Sequence, residues 1–295
     1  MDRPSAACRI TRDDPRFPQS LLEIPDPPDA LWVEGRLELL QAAAIAIVGS
    51  RNCTPMGAHD ATAFARALSD AGFCVVSGLA LGIDAAAHRG ALAGPSSSIA
   101  VLGTGIDRDY PRRNADLART LRRDGCVVSE FPPGTAPHRG NFPQRNRLIS
   151  GLALGVLVVE AACESGSLGT ARAAAAQGRD VFALPGSIHS ALSKGCHALI
   201  RDGAKLAETA QHVLEDLGWK GALHGQASLP LEQAPEPESP VLKALGFAPM
   251  SMDQVAGVTG IPVGAIAAEL SRLELSRRVR SLPGGWFQRA PPESA

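Results

Sequence analysis

Asp84 and His88 stand four residues apart, just after the Gly-containing stretch Ser77-Gly78-Leu79-Ala80-Leu81-Gly82. At that spacing a carboxylate and an imidazole share one helix face, and the pair admits two readings. One is a carboxylate orienting a catalytic imidazole. The other is a capping Asp beside a buried, hydrogen-bonded His. No Ser or Cys in a nucleophile elbow accompanies the pair, so the first reading lacks a nucleophile. Glu130 and Glu160 close apolar runs. They read either as acids of a nucleoside-cleaving site or as acceptors for loop amides.

A second kind of chemistry lies in loops with few bulky side chains: Gly49-Ser50-Arg51, Ser77 to Asp84, Gly103-Thr104-Gly105-Ile106-Asp107, and Ser165-Gly166-Ser167-Leu168-Gly169-Thr170. Bare backbone N–H groups at helix N-termini suit phosphate, and tight packing of turns is the alternative. No loop is a clean GxGxxG, because Arg108 stands where the third Gly of the Gly103 loop belongs. No GxxxxGK[ST] occurs either. A nucleoside-triphosphate site is therefore unsupported and a dinucleotide site only partly so, and no cofactor is expected.

Arginines gather in the middle of the chain. Residues 108–147 hold nine of them against Asp109, Asp116, Asp124 and Glu130, a local net charge of +5. The densest part is Arg139-Gly140-Asn141-Phe142-Pro143-Gln144-Arg145-Asn146-Arg147. Arginines mixed with Asn, Gln and one Phe suit a phosphate backbone with a base stacked on the ring. Taken alone, the segment also reads as a solvated loop, and Arg119, Arg122 and Arg123 as a solvated helix face. The whole chain, 295 residues with 29 Lys and Arg against 30 Asp and Glu, carries a formal charge of −1, which excludes nucleic-acid binding by bulk charge alone. Aromatics are 4% of the residues, so each exposed ring is a candidate contact. The six cysteines form no CxxC and no zinc-type cluster with His, as in reduced thiols of a cytoplasmic protein. No signal-peptide pattern opens the chain and no apolar run reaches the 18 residues of a membrane span.

The elements that must position these groups follow a clear rhythm. Six apolar runs, Ala44–Ser50, Phe73–Gly78, Ser98–Gly103, Cys126–Glu130, Gly155–Glu160 and Asp180–Gly186, are continuous rather than alternating, as in strands buried on both faces of a parallel sheet. Helical stretches separate them: Ala58–Ala71, Asp84–Ala93, Asn114–Asp124 with Asn114 as a cap residue, and Leu168–Gln177, each stopping at Gly. This is the pattern of an α/β, extended Rossmann-like doubly wound, mainly parallel sheet, in which ligands bind beyond the carboxyl ends of the strands.

Residues 1–40 form a Pro-rich lead-in, with a short strand or strap around Leu31 and Val33. The core runs over 41–218. Residues 219–240 change to Gly, Pro and Glu and read as a flexible linker. Residues 241–289 then give an apolar helix Val241–Phe247, a helix opened by the capping-box spacing of Ser251 and Gln254, a third helix Pro262–Leu275, and a hairpin turning at Pro283-Gly284-Gly285. Three helices and a β-wing make a winged helix, followed by a tail at 290–295. The winged unit carries a net +3, which fits duplex DNA or a protein partner.

The strings Val48-Gly49-Ser50-Arg51, Ser77 to His88, Ala100 to Asp107, Phe142 to Gly151, Val159-Glu160-Ala161 and Ser165-Gly166-Ser167-Leu168 resemble the DNA-processing protein A family (DprA, also called Smf), over about Phe17 to Ala204. The tail resembles the winged-helix domain of many members. The resemblance implies a single-stranded DNA-binding protein of natural transformation, cytoplasmic and homodimeric, that protects incoming DNA and loads the RecA recombinase, and that is not an enzyme. It places strand phosphates on Gly49, Ser50, Arg51, Ser77, Gly78, Ala80, Gly166 and Ser167. It places a base against Phe142, with Arg139, where the family often has Lys, beside it. Arg145, Asn146 and Arg147 belong to the same motif, as contacts or as supports of the loop. About forty residues precede the first core strand, where many members carry a helical SAM-like module, so functions of that module are not expected.

The competing expectation is a nucleotide-cleaving hydrolase on a related Rossmann-like fold. The lysine-decarboxylase-like phosphoribohydrolases carry PGGxGTxxE with a catalytic Glu. The nearest segment here, Glu164 to Ala173, has Ala173 in that place, and Ala does no general acid–base work.

Overall fold

The computed structural model describes residues 7–219, 239–245 and 248–290. Most of the expected linker, including Glu232, Glu236 and Glu238, lies outside the described residues, as do Phe247 and residues 291–295. Two compact units emerge, residues 1–226 and 227–295.

The first unit opens with β1 (Cys8–Thr11), a one-turn helix α1 (Gln19–Leu22) and β2 (Ala30–Gly35). An alternation follows: β3 (Ala44–Val48), α2 (Pro55–Asp70), β4 (Cys74–Ser77), α3 (Ile83–Leu92), β5 (Ser98–Val101), α4 (Ala115–Asp124), β6 (Cys126–Ser129), α5 (Asn141–Leu152) and β7 (Gly155–Val158). It closes with α6 (Ser167–Ala176), β8 (Asp180–Ala183), α7 (Lys194–Arg201), β9 (Lys205–Leu206) and α8 (Ala210–Asp216). The sheet order is β1-β2-β6-β5-β4-β3-β7-β8-β9. The strands from β6 to β9 pair in parallel, and β2 and β1 add antiparallel edge strands. The expected doubly wound, mainly parallel sheet is therefore present. Order reverses between β3 and β7, so a crevice opens beyond their carboxyl ends.

Continuously apolar strands form here because helices cover both faces. On β3, Ala44, Ala46 and Val48 face the side closed by α5, α6 and the lead-in residues Phe17, Leu21 and Ile24. Ile45 and Ile47 face α2, α3 and α8. The lead-in is thus part of the layer packing, and Trp32 to Gly35 pair with Ser129 to Cys126.

Three local expectations need correction. The segment 141–147 is the first half of α5, not a solvated loop; Pro143 is tolerated in the first turn, where N–H groups lack intrahelical acceptors, and Leu148, Ile149 and Leu152 anchor the helix in the core. Asn114 makes no side-chain cap bond to α4; its amide is used elsewhere, as described below. Trp219, which composition assigns to the linker, packs on Phe73 with ring centroids 4.3 Å apart and donates its indole N–H to Ala71 O.

The second unit consists of α9 (Pro240–Leu245), β10 (Met250–Ser251), α10 (Met252–Thr259), α11 (Val263–Leu275), β11 (Val279–Leu282) and β12 (Trp286–Arg289). Its core holds Val241, Leu245, Val255, Ile266, Leu270 and Leu273. The capping box between Ser251 and Gln254 is formed. Helices and a three-stranded sheet give the expected winged helix.

Candidate nucleic-acid interface

A cleft opens beyond the carboxyl ends of β3, β4 and β5. Each strand ends in a turn that brings one part of it. The turn after β3 presents Arg51, exposed at the rim. The first turn of α5 presents Phe142, and the Arg51 guanidinium lies 5.6 Å from the centre of its ring, within cation–π reach. Tyr110 completes the wall, its ring centroid 5.6 Å from that of Phe142 at an interplanar angle of 32°. The turn after β5 must let the Phe142 ring approach its backbone: a Cβ on Gly103 would lie 2.8 Å from Phe142 Cδ1. Asn141 fixes the start of α5 to the same turn by donating to Gly103 O at 3.1 Å.

Arg145, one turn further along α5, forms the floor. It is 4% exposed. Its Nη1 donates to Gly78 O at 2.9 Å and also to Val101 O. Gly78 is required here, because a Cβ would sit 2.5 Å from Arg145 Nη1. Burial pulls the Arg145 pKa down to about 10, with the Asp84 carboxylate opposing that shift. Asp84 is itself buried, accepting from Gly78 N–H at 3.1 Å and Ala80 N–H at 3.3 Å. Burial raises its pKa, and the charge of Arg145 is the first influence that lowers it. The two loop amides expected to face phosphate are therefore held by a carboxylate of the same chain. Asn114 ties down the rest of this loop, its amide donating to Leu79 O at 2.9 Å and Ala80 O at 3.0 Å. Leu79 has a φ of 57°, unusual for a branched residue, and these bonds hold it there.

The other expected site residues fall into two groups. Asn146 donates to Gly166 O at 3.3 Å, linking α5 to the turn before α6. Gly166 faces open space, and Ser167 Oγ shares a 2.7 Å bond with Ser165 Oγ. Arg139 is exposed two residues before α5. Ser77, in contrast, is fully buried with its hydroxyl on Ile47 O at 2.6 Å. Gly49 lies against Ile83 and the Glu160 carbonyl, and the buried Ser50 accepts from Asn52 N–H at 3.1 Å. Arg147 turns away to Glu130 at 2.7 Å and Asp26 at 2.9 Å.

Both carboxylates considered as acids are engaged. Glu130 holds Arg147. Glu160 accepts from Thr54 Oγ1 at 2.6 Å and Thr54 N–H at 2.9 Å. His88 is fully buried, its Nδ1 2.7 Å from Ser98 Oγ, and burial drives its pKa down to about 3. The Asp84–His88 pair thus divides between a loop brace and a core histidine.

A family model for DNA recombination-mediator protein A matches residues 9–218. The chain belongs to the DNA recombination-mediator protein A family. The family's DprA winged helix domain matches residues 225–285. Protein Smf of Escherichia coli is 42% identical over 288 residues, 95% of this chain and 76% of that one. DNA processing protein DprA of Streptococcus pneumoniae is 47% identical over 203 residues, 69% of this chain and 72% of that one. The X-ray structure of the S. pneumoniae protein superposes with a TM-score of 0.68 at 45% identity, covering 72% of this chain and 75% of that one. DNA processing protein A of Helicobacter pylori, described in a single-stranded DNA binding mode, superposes with a TM-score of 0.66 at 29% identity, covering 75% of this chain and all of that one.

In this recombination mediator each of the four acids of residues 108–147 holds an arginine of the same stretch, so its +5 rests on the other five, of which Arg145 is buried. Arg122 bonds Glu34 and Asp109, Arg123 bonds Asp124, Arg119 bonds Asp116, and Arg145 and Arg147 are engaged as above. Tyr110 escaped the sequence reading. It is the single tyrosine of the chain and 42% exposed, and its scarcity was the one signal that pointed to it.

Proposed function

We propose that this protein binds single-stranded DNA across the cleft of Arg51, Tyr110 and Phe142. In this reading it acts as a cytoplasmic homodimer that protects incoming DNA and loads RecA onto it during natural transformation. The observation that carries the reading is the Arg51–Phe142–Tyr110 cluster. A cation and two rings share one wall at the carboxyl edge of a doubly wound sheet, where a base can stack and a phosphate be neutralised together. The likeness to the H. pylori protein supports the same ligand. Arg51 and Arg139 take phosphates, Phe142 and Tyr110 take a base, and Gly166 and Ser167 offer an open turn. Gly49, Ser50, Ser77, Gly78, Ala80, Arg145, Asn146 and Arg147 act mainly by holding these loops in place. No catalytic residue is assigned, since Asp84, His88, Glu130 and Glu160 each have a structural partner.

Binding to oligo-dT should be tolerant of sequence and sensitive to salt. About four phosphate contacts give a log K against log salt slope of roughly −3. Phe142→Ala should lose about 1–3 kcal/mol of binding free energy, and Arg51→Ala should lose affinity together with about 0.7 of the salt slope. Fluorescence anisotropy with labelled oligo-dT measures both; two variants that bind like the parent sink the assignment. A strand-exchange assay with RecA tests loading.

For the winged helix, the exposed surface of α11 favours a protein partner over the major groove. Leu275 is 88% exposed, Val263 is exposed, and Arg272 is paired with Glu269 at 2.7 Å. Removing residues 227–295 should leave single-strand binding intact and abolish the partner contact. A selective loss of duplex binding points to the groove instead.

A further inference from the structure

We propose that the groove between α3 and α4 is a second anion subsite, which takes the sugar–phosphate backbone of the strand as it leaves the Phe142 cleft. The inference rests on the cleft reading above and gives the strand a direction.

The groove is walled by Arg89 from the last turn of α3 and by Arg113 from the turn that precedes α4, with Leu92, Leu117 and Thr120 along its floor and sides. Arg89, Arg112 and Arg113 are exposed and make no ion pair among the described residues. The carboxylate in the groove is Asp116, which Arg119 holds. Among the lining residues Arg89 and Arg113 outweigh Asp116, so the groove presents a net positive charge.

The groove and the cleft are joined by one short stretch of chain. Tyr110 and Pro111 line the cleft, and Arg113 lines the groove. Two residues separate Tyr110 from Arg113, at most about 10 Å of chain. The connection is fixed in place. Asn114, 4% exposed, ends the turn Arg112–Asn114 and bonds Leu79 O and Ala80 O of the loop that forms the cleft floor. Ring wall and arginine wall therefore belong to one braced piece of backbone. Of the arginines in residues 108–147, those bonded to carboxylates are withdrawn from any ligand, while Arg112 and Arg113 are left facing outward beside Tyr110. Their position suits a polyanion that has its base seated at Phe142. Arginine's fork accepts two phosphate oxygens at once, and the apolar floor provides room for sugars without asking for base-specific bonds.

The test uses the full chain and two oligo-dT lengths, about 6 and about 24 nucleotides, bracketing the usual footprint of about 4–16 nucleotides for such grooves. The double variant Arg89→Ala with Arg113→Ala should bind the long oligomer about ten-fold more weakly at ~0.1 M salt and reduce its salt slope by roughly 1.4, from about 0.7 per phosphate. It should bind the short oligomer as the parent does. Arg89→Lys with Arg113→Lys should restore most of the slope, because charge and not shape sets it. Phe142→Ala should weaken both lengths. Equal loss on both lengths in the Ala double variant, or no loss on the long one, overturns the groove and leaves the cleft reading standing. A Phe142→Ala chain that keeps both affinities sinks the cleft reading, and the strand path from it. A parent chain that binds neither length overturns both.

Discussion

Arg145 shows how one side chain can decide a site without facing its ligand. Its guanidinium replaces water for two carbonyls at the ends of neighbouring strands, and Asp84 supplies the opposing charge. Removing it leaves two carbonyls and a buried carboxylate short of a partner, each lost bond costing about 1–3 kcal/mol. Arg145→Ala should therefore destabilise the fold by roughly 3 kcal/mol or more in urea titration, with weaker oligo-dT binding as a consequence. Arg145→Lys should recover part of the loss, because one ammonium reproduces the charge but not the fork. Asp60 is a second case. Burial first, then the Glu160 charge, pushes its pKa up to about 6. The folded state thus holds this proton more tightly than the unfolded chain does. The resulting stability is fully present below about 4 and is lost as pH rises through about 6. Asp60→Asn should flatten the melting temperature across that window and stabilise the protein at neutral pH by on the order of 2 kcal/mol.

At the scale of elements, the carboxyl edge of the sheet is organised by what starts each helix. Thr54 caps α2, its hydroxyl accepting from Gly57 N–H at 2.9 Å while donating to Glu160 after β7. One residue so joins the two strands on either side of the topological reversal. Thr54→Ala should cost about 1–2 kcal/mol, since it removes a cap and strips a half-buried carboxylate of a donor. Thr54→Ser should cost much less, and chemical denaturation separates the two. The start of α5 is built differently. Gly140 gives it no side-chain cap, and Asn141 instead reaches across to Gly103 O. This fixes Phe142 against the β5 turn. Asn141→Ala should loosen that placement and weaken oligo-dT binding more than it lowers stability, a contrast that anisotropy and melting together reveal.

For the molecule as a whole, every group of the cleft and of the α3–α4 groove comes from the first unit. That unit has apolar clusters on both faces of a nine-stranded sheet. A chain of residues 1–226 should unfold cooperatively and keep the parent's affinity for oligo-dT, which chemical denaturation and anisotropy check. The net charge of −1 is compatible with this, because the useful charge is local: a few arginines left outward-facing among many that are paired.

The six strands from β3 to β8, the helices α2, α3, α4 and α6 and the winged helix were legible in the sequence, because continuous apolar runs, Gly stops and a capping box act within a few residues of themselves, whereas α5, with Pro143 and polar residues in its first turns, was not. Nothing local says which arginine is spent on a carbonyl or a carboxylate. Arg145 and Arg147 look alike in the chain, yet one lies under the cleft and the other is drawn to Asp26 and Glu130. Asn114 looks like a helix cap and is a brace for a loop 34 residues earlier. Tyr110 and Arg51 both meet Phe142 from far upstream in the chain. Local pattern determined the elements and their order; only the folding of separate strands onto one edge decided which charges face a ligand, because pairing and burial depend on neighbours that the sequence keeps far apart.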